Sequence, residues 1–335
     1  MTHLHSSQRP QRRTLLQLLA VSAGAWGLTA PFGLPSAWAQ SKTAGKPLEQ
    51  LRIGYQKSAV NLVILKQQGV LEKRFPNTKV TWVEFPAGPQ LLEALSVGSL
   101  EFGLTGDAPP VFAQAAGKDL YYVGAEPAKP ESSAILVLHD SPIQKLSDLK
   151  GKRVALQKGS SAHYLLVRAV DKAGLQWSDI QPVYLTPADA RAAFERKSVD
   201  AWAIWDPFYA ATELALPTRV LTTGQGLSGN NSFYLSSTAL AQQHPDVLAV
   251  LFDELSRADR FAQERRPEAI KLIADFSGLD AGVVSLFLKR RPRSPVGPLG
   301  PDTVSNQQQV ADAFAKLALI PKPVKVADIV WRFAR

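Results

Sequence analysis

Cysteine is absent from this 335-residue chain, and methionine occurs only at position 1. Disulfides, thiolate nucleophiles and cysteine-ligated metals are therefore excluded, as is the lipid anchor that a cleavage-site cysteine would carry. Beyond the N-terminal segment the histidines are His139, His163 and His244, too far apart for metal-ligand spacing. No G-x-S-x-G marks a nucleophilic serine. Neither Gly45-Lys46 nor Gly151-Lys152 is followed by Ser or Thr, so the phosphate loop of a nucleotide hydrolase is missing. No cofactor and no metal are implied.

The first 39 residues contain no acid. They hold Arg9, Arg12 and Arg13, then an apolar stretch that opens LLQLLAVSAGAWGL and ends at Ala37-Trp38-Ala39. This is the pattern of an export signal, with cleavage expected after Ala39. Gly24, Gly27, Pro31 and Pro35 interrupt the run, which falls short of the ~20 unbroken apolar residues of a membrane span. Arg12-Arg13 admits the twin-arginine route beside ordinary Sec secretion. Removing the segment takes three of the 38 basic residues and none of the 29 acids, leaving 35 against 29, or +6. The remaining Lys and Arg are scattered except for KRRPR at 289–293, which reads as a solvated helix end and not as a nucleic-acid patch. A soluble, monomeric periplasmic protein is expected. A mature length of about 300 residues exceeds one typical core and implies two lobes.

From Leu51 onward the chain alternates β runs with helical patterns: LRIGY, NLVILKQQGVLEKRF, KVTWVEF, PQLLEALSVGS, EFGLTG, and so on through TRVLTTG. Such alternation predicts βαβ units, hence an α/β fold with helices covering mostly parallel sheets. After about residue 240 the pattern is helical, with HPDVLAVLFDELSRADRFAQ the longest run. An internal echo at an offset of 99 positions places Ala94 on Ala193, Ser99 on Ser198, Glu101 on Asp200 and Asp107 on Asp206. Generic core residues shared by any two βαβ units would produce part of this. Both Asp residues, however, fall just past the carboxyl end of a strand, where open α/β sheets form ligand crevices.

QKGSSAH at 157–163 sits between a strand-like run and an apolar-periodic helix. It lacks the pattern of a phosphate loop, and His163 in the first helical turn points away from Ser161, which argues against a nucleophilic serine. An anion seated at the helix start asks less, because first-turn N–H groups lack partners and carry about half a positive charge. Ser160 and Ser161 add hydroxyl donors and Gly159 allows close approach; a plain serine N-cap would use the same residues. TGDAPP offers a comparable corner at Gly106 and Asp107, and Trp205-Asp206-Pro207 repeats it with an aromatic wall.

RIGYQK at 52–57, LEKRFP at 71–76, VEFPAGPQLLEAL at 83–95, TGDAPPVFAQAAG at 105–117, QKGSS at 157–161, YLTPADARAAF at 184–194 and DAWAIWDPF at 200–208 together resemble the aliphatic sulphonate-binding proteins of ATP-binding-cassette importers. The resemblance runs from about Leu51 to the C-terminus. It implies a two-lobed periplasmic binding protein of type II, each lobe a mixed, mostly parallel sheet flanked by helices. Residues 48–135 and 228–335 would form one lobe and 136–227 the other, with crossings near Ser132 to Leu138 and Leu227 to Leu235. Alkanesulphonate oxygens would sit on Ser160 and Ser161, assisted by Gln56 and the Gly106-Asp107 corner, with Trp205 and Asp206 facing the tail. His163 and Asn231, the latter in the LSGNNS loop, are further candidates. The partner would be an ABC permease in the inner membrane.

A sulphonate is a permanent monoanion with three acceptor oxygens, so a donor-lined site without Lys or Arg would suffice for it. Taurine, nitrate or a thiamine-precursor pyrimidine are the alternative cargoes. An enzyme of this fold would have to use His163 as a base, and none is expected.

Overall fold

Among the described residues, ten short runs become strands and divide between two sheets. A computed structural model describes residues 47–332; the export segment expected over residues 1–39 lies outside the described residues. The first sheet contains β1 (Gln50–Tyr55), β2 (Lys79–Glu84), β3 (Phe102–Gly106), β4 (Tyr121–Glu126) and β10 (Ser232–Ser236), in the order β2-β1-β3-β10-β4. The second contains β5 (Ser133–Leu138), β6 (Arg153–Leu156), β7 (Gln181–Tyr184), β8 (Ala201–Trp205) and β9 (Thr218–Thr223), in the order β7-β6-β8-β5-β9. In each sheet four strands share a direction and one opposes them: β10 between β3 and β4, and β5 between β8 and β9. The opposed strand is in both cases the first one after the chain changes sheet.

The helices are α1 (Val60–Gln68), α2 (Val70–Arg74), α3 (Gly88–Ser96), α4 (Ala108–Ala115), α5 (Ser161–Lys172), α6 (Pro187–Glu195), α7 (Phe208–Ala215), α8 (Thr238–Gln243), α9 (Pro245–Glu264), α10 (Arg266–Ser277), α11 (Ala281–Arg290) and α12 (Pro301–Lys316). The single helix suggested by NLVILKQQGVLEKRF is broken into α1 and α2 because Gly69 takes a left-handed φ of 58°. The run expected to be the longest helix is α9, with 20 residues. The strand β10 escaped the sequence reading: SFYLS is wholly buried and follows a Gly/Asn loop, so it shows no alternation.

Leu51, Ile53, Leu62 and Ile64 are fully buried in one core with Leu248, Leu251 and Leu255 of α9. Trp202, Phe194 and Ile135 anchor the core of the second sheet. Burying each such aliphatic side chain stabilises the fold by about 1.5–3 kcal/mol. The helix α5 has two apolar faces: Leu165, Leu166 and Ala169 join the second core, whereas Tyr164 and Val167 join a third cluster with Phe314 of α12.

The internal echo is realised in the backbone. Glu101 precedes β3 and accepts from the Arg52 N–H and guanidinium on β1, and Asp200 precedes β8 and accepts from the Arg153 N–H and guanidinium on β6. Each acid ties the start of one parallel strand to its neighbour.

Candidate functional site

Three carboxyl-end corners converge. Gly106 is the last residue of β3, Trp205 the last of β8, and Ser160 and Ser161 follow the turn after β6. Gln56, Gly106, Ser160, Ser161, Trp205 and Asp206 all line one cleft. Its cavity is about 50 Å³, on a scale where ~10–15 Å³ admits one water. A side chamber of about 170 Å³ shares Gln56, Ser58 and Trp205 with it and is walled by Phe85, Pro86 and Phe208.

The serine corner is held from behind. Gly159 adopts φ 72°, and its N–H donates to His163 Nδ1 at 3.1 Å. Ser160 stands at the N-cap position of α5, yet its hydroxyl donates to the Gln157 carbonyl at 2.7 Å and makes no side-chain cap. The plain-cap reading of this serine therefore fails. Ser161 reaches across to the first sheet: a Cβ built on Gly106 would overlap Ser161 Oγ and lie 3.3 Å from Ser161 Cβ. Gly106 has no left-handed φ, so its lack of a side chain serves the close approach of Ser161.

Asp107 and Asp206 differ in what surrounds them. Asp107 is buried, caps α4 through the Ala108 N–H at 2.8 Å and receives the Ser161 hydroxyl, so it stands behind the cleft wall. Burial pushes its carboxyl up, opposed by the Ser161 hydroxyl and the Ala108 N–H. Asp206 lines the cleft, and its Oδ1 accepts from the Ala210 N–H at 3.0 Å and from Arg290 Nη1 at 3.1 Å. Burial pushes Asp206 up to about 7, with the Arg290 charge pulling the other way. Arg290 also pairs with Glu213 and lies 3.7 Å over the Tyr209 ring.

Cations border this cleft, contrary to expectation. Lys129 and Arg291 both line it. Lys129 donates to Ser232 Oγ and stands 3.9 Å from Glu126, and burial lowers its ammonium. Arg291 pairs with Asp259 at 2.9 Å and Glu126 at 3.5 Å, and bonds Asn61. Only part of the KRRPR run is a solvated helix end: Lys289 and Arg293 are exposed where α11 ends at Arg290, but the side chains of Arg290 and Arg291 are 13% and 4% exposed, because acids on other elements receive them. Lys129 has no motif around it, and the partners of Arg291 are up to 230 positions away; no local signal announces either.

Besides Asp107, two candidates lie off the cleft. Asn231 turns its Nδ2 to the Glu126 carbonyl, and its neighbour Asn230 lines the site instead. His163 is fully buried, with ring centroids of Trp177, Phe314, Tyr184 and Phe112 at 5.1–6.0 Å. Burial, then the Lys158 charge, push it down to about 3, and its Nε2 has no partner. With one nitrogen occupied and the other sealed, it cannot reach a substrate as a base. The arrangement is suited to hold a small anion beside an apolar group.

A profile of the NMT1/THI5-like family matches residues 77–269. The chain is 49% identical to the periplasmic aliphatic sulphonate binding protein SsuA from Escherichia coli, with a TM-score of 0.79, covering 86% of this chain and 93% of that one. It is 50% identical to the alkanesulfonate-binding protein SsuA from Xanthomonas axonopodis pv. citri, solved with MOPS bound, with a TM-score of 0.82 over 86% of this chain and 99% of that one. It is also 28% identical over 248 residues to the taurine-binding periplasmic protein of Escherichia coli (strain K12), covering 71% of this chain and 76% of the relative.

Proposed function

The chain belongs to the aliphatic sulphonate-binding proteins, and from that membership we infer that it is the periplasmic solute-binding component of an ABC importer and takes up alkanesulphonates. It is a carrier and not an enzyme. The observation that carries the reading to this chain's own residues is the pairing of a cleft that holds Ser160, Ser161, Lys129 and Arg291 with a side chamber walled by Phe85, Pro86 and Phe208, joined at Gln56, Ser58 and Trp205. The sulphonate would sit among Ser160, Ser161, Gln56, Lys129 and the Gly106 corner, and the alkyl tail would lie along Trp205 and Phe208. Lys129 and Arg291 attract the anion, while Glu126 and Asp259 behind them keep the net charge low and the cargo releasable.

The lobe division proposed is 48–135 with 228–335, and 136–227. Its support is that the chain changes sheet between Glu126 and Ser133 and between Thr223 and Ser232. Closure by hinge motion at these crossings, delivery to an inner-membrane permease, a monomeric state and cleavage after Ala39 complete the proposal. In calorimetry, straight-chain alkanesulphonates of four to six carbons should bind more tightly than taurine, nitrate or a hydroxymethylpyrimidine. A ligand at 100 times its Kd should stabilise the fold by about 2.7 kcal/mol, and scattering should show compaction. Preference for taurine or the pyrimidine would overturn the assignment of the tail to the Trp205 chamber.

A further inference from the structure

His163 lies off the cleft, and its surroundings give it another task. Its Nδ1 accepts the Gly159 N–H at 3.1 Å, and this bond holds the left-handed turn that presents Ser160 and Ser161. An accepting Nδ1 is unprotonated, so the imidazole is neutral with its hydrogen on Nε2. That Nε2 is buried without a hydrogen-bond partner inside an aromatic shell.

The shell comes from both sides of the cleft. Trp177 and Tyr184 flank the second sheet, whereas Phe112 belongs to α4 and Phe314 to α12, both packed on the first. Phe112 also contacts Gly159, where a Cβ would lie 3.4 Å from its ring. The titratable and charged groups that face the imidazole are Lys158, on its own turn, and Tyr184 at the end of β7; α4, α12 and the turn bearing Trp177 present only rings. Among the described residues no carboxylate acts to stabilise an imidazolium, and Lys158 opposes one.

We propose that His163 is a positioning residue that couples anion capture to its own deprotonation: neutral, it holds the serine corner and lets the lobes close over it, and protonated, it does neither. The inference rests on the reading of the cleft as a closing sulphonate site. Its sign follows from linkage. With the lobes apart, Phe112 and Phe314 no longer cover the ring, and the imidazole takes up a proton more readily than when enclosed, although Trp177, Tyr184 and Lys158 stay beside it. The closed form holds it neutral far below its ordinary value of about 6.5. Acid therefore favours the open form, and affinity should fall by up to about tenfold for each pH unit below the open form's own midpoint. A sulphonate keeps its single charge throughout this range, so the ligand contributes none of the dependence.

The experiment is a calorimetric titration with pentanesulphonate from pH 8 to pH 5, on the protein and on His163→Asn. The Asn side-chain oxygen can replace Nδ1 as acceptor but takes up no proton. The expected result is a roughly tenfold or greater loss of affinity in the wild type between pH 7 and pH 5.5, and a flatter profile in His163→Asn with affinity at pH 7.5 within a few fold. Parallel profiles overturn the proposal, since Asp206 would then be the titrating group. In the wild type, NMR of ring-labelled histidine should show the His163 titration displaced to lower pH by ligand; the same midpoint with and without ligand also overturns it, whether or not the variant folds. If pentanesulphonate binds at no pH, the sulphonate reading fails instead.

Discussion

The corners after β3 and β8 are built from the same strand-helix-strand unit, yet one has lost its side chain and the other carries a large one. At the first, Gly106 makes room for Ser161, which follows β6 of the second sheet, and Asp107 behind it meets hydroxyl and N–H donors. At the second, Trp205 walls the cleft and Asp206 meets the guanidinium of Arg290. Equivalent carboxylates thus have different work because different elements reach them. A repeated unit reproduces the position of a residue; its partners set what the residue does.

The most disruptive way to break this comparison is to give the first corner a side chain. Gly106→Val should keep the β3 backbone and hold Ser161 away, so that the closed state becomes rare. If it falls to about 1% of its former population, apparent affinity for an alkanesulphonate drops about a hundredfold. Trp205→Ala, the reverse change at the second corner, should weaken long-tailed ligands more than methanesulphonate. Calorimetry on both variants tests the pair, and unchanged affinity in Gly106→Val would remove closure at this corner.

On stability, as distinct from binding, the largest effect belongs to the guanidinium that bonds Asp206 at the second corner. Arg290→Met leaves Asp206 and Glu213 without their buried partner, and breaking such a pair costs about 3–5 kcal/mol. The loss should be smaller at pH 5 than at pH 8, because Asp206, already pushed up to about 7, escapes by taking a proton. Denaturant titrations at the two pH values measure this. Asp206→Asn sharpens the point. A raised folded value means that the native state binds the proton more tightly than the unfolded chain. Asp206 therefore lowers stability progressively as pH rises from about 4 to about 7, by ~1.4 kcal/mol per unit. The wild type should lose ground to Asp206→Asn across that window and no further above it.

The smallest effects belong to the two matching ties at the strand starts. Arg52 is partly shielded and also bonds the Gly98 carbonyl, so Arg52→Met should cost about 1 kcal/mol or less. Arg153 is more exposed, and Arg153→Met should lower the melting temperature by less than Arg52→Met does. The opposite order would mean that the second sheet depends on its tie more than the first.

Much of the architecture was legible because it rests on local periodicity. The βαβ alternation, the long α9 and the strand-end positions of Gly106 and Trp205 all follow from neighbours in the chain. The strand β10 was not legible, since a strand buried on both faces shows no alternation, and its place between β3 and β4 depends on segments more than 100 positions away. In the site, corners with glycine, serine or tryptophan stood out, whereas Lys129, Asn230 and Arg291 did not.

The sequence by itself determined the α/β class, the echo of two strand-helix-strand units and the corners at their strand ends, because hydrophobic period and turn chemistry act over a few residues. Only the tertiary structure decided which charges are buried and against what. Burial of a cation needs an acid brought from elsewhere, and Arg290 and Arg291 of KRRPR look solvated until Asp206, Glu213, Glu126 and Asp259 arrive around them. The same holds for His163, which a local pattern offers as a ligand or a base and which Phe112 and Phe314, from elements packed on the first sheet, enclose as a neutral ring.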